Sequence, residues 1–409
     1  MIAGMDLTDE GVYERVRAGQ FAELSRRGML KGSVASAAAL TAVGGTATAA
    51  RADGPIVKPL PPEWFTAFGT NAEMKWDAVR GLGFLTPNER FFVRNHVSTP
   101  LIDAAAWRLR IWGSGVRTPL ELGLAELRAL KGESLVASIE CTGNGRSFYT
   151  SQQGQTVSGT GWKLGAVGVA RWRGVRLSTL LRRAGLTHDA VDVLPSGLDP
   201  DYIDKGVNLG KVRRPLSVQK ALKDVLVAYE MNGQPLPPDH GFPVRLVVPG
   251  WVGSASIKWL GDLQVANEPL FSPWNTSFYR MFGETYPPEG SAPLTVMNVK
   301  SAFELPWNAT LTAGRTEVLH GRSWSGAGRI ARVEISVDGA TWERAELERS
   351  HSSAAWQRWR FRWRRPAAGA YALRARATDE HGNVQPDVSP HNTLGYQFGA
   401  VVRHPVTVA

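Results

Sequence analysis

The chain has 409 residues, room for two or three domains at roughly 100 to 200 residues each, and its 47 Lys and Arg against 37 Asp and Glu leave a formal charge of +10. That surplus is scattered through apparent strands such as Arg358 to Arg365 without the interleaved aromatic and basic ladder of a single-strand binder, which sets nucleic acid aside in favour of a positive field for a small anion. No apolar run reaches the ~20 residues of a membrane span, and a single cysteine, Cys141, excludes a disulfide within the chain.

In chain order, the first element is an address. Ser25-Arg26-Arg27-Gly28-Met29-Leu30-Lys31 sets paired arginines before an Ala/Thr/Gly stretch, and Ala50-Arg51-Ala52 supplies a small-x-small cleavage site. Residues 1–52 therefore read as a twin-arginine export signal, which places the mature protein in the periplasm. That route carries folded chains and suits a protein that takes up a cofactor before export. Asp53 to about Pro62 is Pro-rich and reads as an extended linker. From Trp64 to about Pro288 the pattern is mixed. Leu120 to Leu130 and Leu177 to Ala184 have helical spacing, while Leu135 to Ile139 and Val244 to Val248 read as strands. Residues 53–290 are thus expected to form an α+β domain. Beyond Gly290 the period changes to two: Val333, Ile335 and Val337 run into the hairpin signal Asp338-Gly339, and Tyr371, Leu373, Ala375 and Ala377 alternate with other residues. Residues 291–409 are expected to form an Ig-like β-sandwich.

Three clusters carry chemistry. Ser138-Ile139-Glu140-Cys141-Thr142-Gly143-Asn144-Gly145-Arg146 places the only thiol just after an apolar strand, in a turn that can present it beside free backbone N–H groups. Arg146, if it folds back, brings a positive charge to that soft ligand. Phe91-Phe92-Val93-Arg94-Asn95-His96 sets Arg, Asn and His side by side after an aromatic pair, a pattern that a solvated strand edge also produces. Asp239-His240-Gly241-Phe242-Pro243-Val244-Arg245 leads into an apolar run and then to Ser254-Ala255-Ser256-Ile257-Lys258, so that His, Arg and Lys bracket one strand as a phosphate cradle would require.

Together these segments resemble the sulfite oxidase family. Its F-x-R-N-H stands here as Phe92 to His96, its C-x-G-N-x-R as Cys141 to Arg146 and its D-H-G-F-P-V-R as Asp239 to Arg245; Gly165 to Trp172 and Ala228 to Leu236 are similar to further family segments. Ala331 to Trp342 and Thr378 to Pro386 resemble the family's Ig-like dimerisation domain, which implies a homodimer. The resemblance implies a molybdenum–molybdopterin cofactor with Cys141 as its one protein ligand. Phe92, Arg94, Asn95 and His96 would line the pterin and its metal end, and Asp199, His240, Arg245, Ser256 and Lys258 would hold the pterin and its phosphate. Arg94, Arg146, Trp162 and Tyr279 match the positions that bind the oxyanion.

The implied reaction is oxygen-atom transfer that turns sulfite into sulfate, with electrons leaving one at a time. The chain carries no C-x-x-C-H and no cytochrome-like stretch before Trp64, so no haem is expected in it, and a periplasmic c-type cytochrome is the expected acceptor. Two departures bear on the substrate. Ser254-Ala255-Ser256 replaces the family's Ala-Arg-Ser, and a dimerisation-domain arginine is expected to be replaced near Ala354-Ala355-Trp356. They keep open a sulfane dehydrogenase subunit of a thiosulfate-oxidising system and a methionine sulfoxide reductase. A non-catalytic exported binding module is the alternative from a different class.

Overall fold

A computed structural model describes residues 55–409; the expected export signal, residues 1–52, lies outside the described residues. The strands that build the site are β1 (Arg108–Trp112), β2 (Leu120–Gly123), β3 (Glu133–Glu140), β4 (Val167–Arg176), β5 (Asp192–Gly197), β6 (Leu226–Met231), β7 (Arg245–Val247) and β8 (Leu260–Ala266). One five-stranded sheet runs Leu216–Ser217, β5, β8, β1, β2, with β8 parallel to β1. A second runs Gln234–Pro235, β6, β4, β3, and β7 pairs with β6. Along β1 the side chains alternate, with Leu109 and Ile111 buried and Arg108, Arg110 and Trp112 outward, as a strand solvated on one face requires. The core between the sheets takes Leu109, Ile111, Leu263 and Val265 from the first, Val175 and Val227 from the second, and Leu177, Leu180 and Leu181 from the helix Leu177–Arg183. Each such side chain contributes about 1.5–3 kcal/mol of burial.

The C-terminal half is a two-sheet β-sandwich. Its four-stranded sheet contains β9 (Lys300–Phe303), Glu317–Trp324, Gln357–Trp363 and Glu346–Leu347, and its five-stranded sheet is built around Ile330–Ser336, Gly369–Asp379 and His404–Val408. Phe303, Leu319, Trp359 and Phe361 from one face meet Val333, Ile335, Leu373 and Ala375 from the other. The hairpin expected at Asp338-Gly339 forms: Asp338 Oδ1 accepts the N–H of Ala340 and Thr341, and Ile335 pairs with Glu343. A further core joins the two halves, where Phe65, Met74, Trp76, Phe148 and Tyr149 pack with Trp324, Trp356, Phe398 and Val402.

Two local expectations change. The helix expected over Leu120 to Leu130 is β2 followed by a short helix, Leu124–Ala129, with Gly123 at its N-cap. The apolar residues explain the break: Leu120 and Leu122 keep period two and pair with β1, whereas Leu124, Leu127 and Leu130 keep period three. The expected linker is not free either. The N–H groups of Val57 and Lys58 donate to the Asp239 carboxylate at 3.0 and 2.7 Å, because a fully buried carboxylate needs donors wherever the chain can bring them.

Candidate active site

The three chemical clusters converge on one cleft at the C-terminal end of β3. One wall is Phe91 to His96. Phe91 and Phe92 anchor it in the core, and Asn95 Nδ2 donates to Thr99 Oγ1 at 2.9 Å, while Lys258 Nζ donates to Asn95 Oδ1. Trp274 Nε1 donates to His96 Nε2 at 3.1 Å, which assigns the ring proton to Nδ1, and the Tyr279 hydroxyl lies 3.3 Å from the same Nε2. Burial first, then the charges of Arg94 and Lys258, hold the His96 imidazole well below its ordinary pKa, so it is neutral at physiological pH. Burial likewise raises the Tyr279 phenol against the opposing pull of Arg94, so the hydroxyl keeps a proton to donate. Tyr279 and Trp259, both on the cleft wall, hold φ of +55° and +51°. Bulky residues adopt that left-handed region only where surrounding packing compels it, at a cost of about 1–3 kcal/mol each.

Cys141 sits at the floor, one residue past β3. Its N–H donates to the Ala166 carbonyl at 2.9 Å, and its own carbonyl accepts the Asn144 N–H at 2.9 Å, which turns the chain immediately after the thiol. Arg146 does fold back. A Cβ on Gly143 would stand 2.6 Å from Arg146 Nη2, and one on Gly395 2.7 Å from its Cγ, so the side chain threads a passage that only glycines leave open. Arg146 Nε donates to the Leu394 carbonyl and Nη1 to that of Thr160, at 2.9 and 2.8 Å, and its guanidinium lies 5.4 Å from the Tyr396 ring centre. Tyr396 in turn stacks on Tyr279 at 5.2 Å.

The far end of the cleft collects His240, Arg245, Ser256, Lys258 and Asp199. Arg245 donates to the carbonyls of His240 and Ser256, both at 3.0 Å, and Lys258 to the Asp239 carbonyl at 2.7 Å. The Ser256 hydroxyl is committed to the Val248 N–H at 3.0 Å. Burial pushes Lys258 well below its ordinary pKa, and Arg245 and Arg94 push in the same direction. Burial lifts the Asp199 carboxyl to about 6; the nearby amides of Asp199 and Val212 and the charge of Lys258 oppose it, yet neither carboxylate oxygen has a hydrogen bond of normal geometry.

Of the residues singled out in the sequence, Phe92, Arg94, Asn95, His96, Cys141, Asp199, His240, Arg245, Ser256, Lys258 and Tyr279 line the cleft. Arg146 stands behind the Cys141 turn. Trp162 is withdrawn into the core that surrounds Cys141, edge-on to Phe68 at 5.4 Å, where it shapes the floor and does not face the cleft. The segment Ala354 to Trp356, where a family arginine is expected to be replaced, packs beside the site. Ala354 pairs with Ser138 on the flank of β3 and Trp356 is buried in the core between the halves, whereas the residues that meet Arg146 and Tyr279 are Leu394, Gly395 and Tyr396. Sequence reasoning also missed Thr142, Ser254 and Trp259 on the cleft wall. Thr142 follows Cys141 directly, the one signal that could have identified it.

Chemically, the cleft holds more buried positive charge than it satisfies. Among the described residues, none of Arg94, Arg146, Arg245 and Lys258 forms an ion pair. Arg94 Nη1, Thr142 Oγ1, His240 Nε2 and both oxygens of Asp199 are buried without a hydrogen-bond partner. Buried cations and orphaned polar atoms on this scale call for an anionic ligand rich in donors and acceptors. Among the described residues no group of three or more His, Cys, Asp and Glu side chains comes together. The donor set of the cleft fits an anionic cofactor carrying a soft metal.

Asp199 offers a stability test of that environment. Its pKa rises on folding, from the ordinary 3.8 to about 6, so its ionisation opposes folding above pH 6, and the penalty vanishes below pH 4, where both states are protonated. Asp199→Asn in cofactor-free protein is expected to raise stability by about 3 kcal/mol at pH 8 and by almost nothing at pH 4. Denaturant titrations at both values check it; an equal effect at the two would remove burial as the cause.

Comparison with known proteins points the same way. Residues 96–274 match the oxidoreductase molybdopterin binding domain, and residues 291–408 the Mo-co oxidoreductase dimerisation domain. The chain is 36% identical to mitochondrial sulfite oxidase of Mus musculus over 319 residues, which covers 75% of this chain and 58% of the relative. It is 36% identical to sulfite oxidase of Gallus gallus over 323 residues, covering 74% and 68%. The chain thus spans little more than half the length of the mammalian relative. Among solved structures, the sulfane dehydrogenase SoxCD of Paracoccus pantotrophus superposes with a TM-score of 0.71 at 26% identity, covering 86% of this chain and 88% of that one.

Proposed function

The chain belongs to the sulfite oxidase family, and from that premise we propose that it oxidises sulfite to sulfate with a molybdenum–molybdopterin cofactor held in the Cys141 cleft. The observation that carries the proposal is the chain's sole thiol at the floor of a cleft ringed by buried, unpaired cations. When bound, the cofactor supplies oxygen-atom transfer to sulfur and accepts two electrons, so that sulfite and water become sulfate, two protons and two electrons.

Everything else falls to the side chains. The Cys141 thiolate ligates the metal. Arg245 and Lys258 counter the charge of the cofactor's phosphate end, His240, held neutral by burial, offers it the unpartnered Nε2, and Asp199 and the Asn95 amide supply acceptors for its ring N–H groups. Arg94 Nη1, the one buried donor of that guanidinium without a partner, binds the incoming oxyanion, and Arg146 holds a second positive charge behind the Cys141 turn. The Tyr279 hydroxyl donates to the same oxyanion from beside His96, whose neutral imidazole adds no charge of its own. A divalent anion in this low-dielectric site is stabilised by fixed donors that need no reorganisation during the reaction.

The same reading assigns residues 53–290 to the catalytic domain and 291–409 to an Ig-like dimerisation domain in a homodimer. It takes residues 1–52 as a twin-arginine signal, the periplasm as the compartment and a c-type cytochrome as the electron acceptor. Among the described residues no helix is long and apolar enough to cross a membrane.

One observation supports a second reading, oxidation of sulfane sulfur: the sulfane dehydrogenase SoxCD superposes with a TM-score of 0.71, although at 26% identity against 36% for the sulfite oxidases. A single assay separates the two. Molybdenum-quantified protein should reduce cytochrome c or ferricyanide with sulfite. Metal-loaded protein inert to sulfite but active on a persulfide would transfer the proposal to sulfane sulfur, and protein that takes up no molybdenum would end both.

A further inference from the structure

Among the polar side chains the mechanism leaves unused, Lys300 is the most tightly tied to the site. It opens β9 in the C-terminal sandwich, is 4% exposed, and its ammonium donates to Glu140 Oε1 at 2.8 Å and to the Asn144 carbonyl at 2.9 Å. Those two residues flank Cys141 at the end of β3 and in the turn that follows. Asn144 Nδ2 donates to the same Glu140 oxygen at 2.8 Å, and Asn144 Oδ1 accepts the Ala166 N–H at 3.1 Å. The Ala166 carbonyl accepts the N–H of Cys141 at 2.9 Å, so the network that begins at Lys300 closes on the thiol's own backbone. From the same half of the molecule, the Gln397 N–H donates to the Thr142 carbonyl at 2.7 Å.

Among the described residues a second fully buried ion pair, Arg322 with Glu304 at 2.7 Å, has both carriers in the sandwich and reaches the first domain only at the Leu82 carbonyl, far in sequence from the thiol, so burying an ion pair is not in itself a mark of function. Lys300 and Glu140 differ in their address: 160 positions apart, they join the sandwich to the residue before Cys141. Without the ammonium, Glu140 is a buried carboxylate left with one amide donor. Water must reach it, and the turn that opens to admit water carries Cys141 with it.

We infer that Lys300 is a positioning residue for Cys141: through Glu140 and Asn144, the C-terminal sandwich sets the direction in which the thiol faces the cleft. The sandwich is then part of the metal site. This rests on the reading of Cys141 as the metal ligand, and its test has a readout that does not depend on that reading.

Because the chain holds one cysteine, alkylation by iodoacetamide followed by mass spectrometry reports on Cys141 alone. In full-length metal-free protein held well below its melting temperature, Lys300→Met should alkylate about tenfold faster than the parent, which corresponds to about 1.4 kcal/mol taken off the opening of the turn by the stranded carboxylate. Arg322→Met, which breaks the other buried pair, should leave the rate unchanged, and Lys300→Met with Glu140→Gln, which removes the stranded charge, should recover most of the parental rate. Molybdenum retained per chain should fall about tenfold in Lys300→Met. If Lys300→Met fails to fold, Lys300→Arg, which keeps the charge and changes the reach, should show an intermediate rate. A Lys300 variant that alkylates like the parent, or no faster than Arg322→Met, overturns the inference. The expected graded rates in a protein that never takes up molybdenum would sink the metal reading and leave the clamp standing.

Discussion

Replacing Cys141 by Ser is expected to lower sulfite-dependent acceptor reduction by well over 100-fold, since even a residue that only supports a metal ligand is worth about 10–100-fold. The substitution changes one atom and almost no volume. It exchanges a soft sulfur for a hard hydroxyl. The fold has little reason to respond. Cys141 is 9% exposed in the cluster that holds Phe91, Phe92 and Trp162, and it forms no disulfide. A buried hydroxyl in its place costs about 1–2 kcal/mol, or a few degrees in melting temperature. Molybdenum per chain, melting temperature and turnover, measured on the same preparation, form the check. A Ser variant that keeps the metal and the parental turnover would mean that the thiol is not the ligand.

Replacing Arg94 by Met is expected to lower kcat/KM for sulfite by about 100- to 1000-fold, the range seen when one preorganised donor to a developing anion is removed. Arg94 is on the cleft wall, and its Nη1 is buried without a protein partner, so the guanidinium keeps a donor for a ligand. Lysine should not restore the loss, because a point charge cannot reproduce a planar fork aimed at two oxygens. A second readout is independent of catalysis. His96 has a folded pKa well below 6.5, with burial first among the causes and Arg94 next. Its contribution to stability is therefore complete above pH 6.5 and is lost as pH falls, by up to about 1.4 kcal/mol per pH unit. Arg94→Met raises that pKa and should make the acid loss shallower in cofactor-free protein. A variant within threefold of the parental kcat/KM would remove Arg94 from the anion site.

What the amino-acid sequence determined by itself is the chemistry and its local frames. Cys141 is the one thiol, and the apolar run Leu135 to Ile139 already places it at the end of a strand, because hydrophobic period and turn residues act over a few positions. The clusters Phe92 to His96 and Asp239 to Lys258 were legible for the same reason, as was the change to period two that builds the sandwich. Tertiary structure decided which of these residues share a cavity and which stand behind it. Trp162 is packed in the core around Cys141, and Arg146 lies where Gly143, three residues before it, and the remote Gly395 let it pass. The segment of the C-terminal half that meets Arg146 and the Cys141 turn is Leu394 to Gln397, and Lys300 reaches Glu140 across 160 positions. Such partners carry no local period. They come together only because a large shared aromatic core docks the two halves, and a buried charge or orphaned donor then takes whichever group that docking brings within reach.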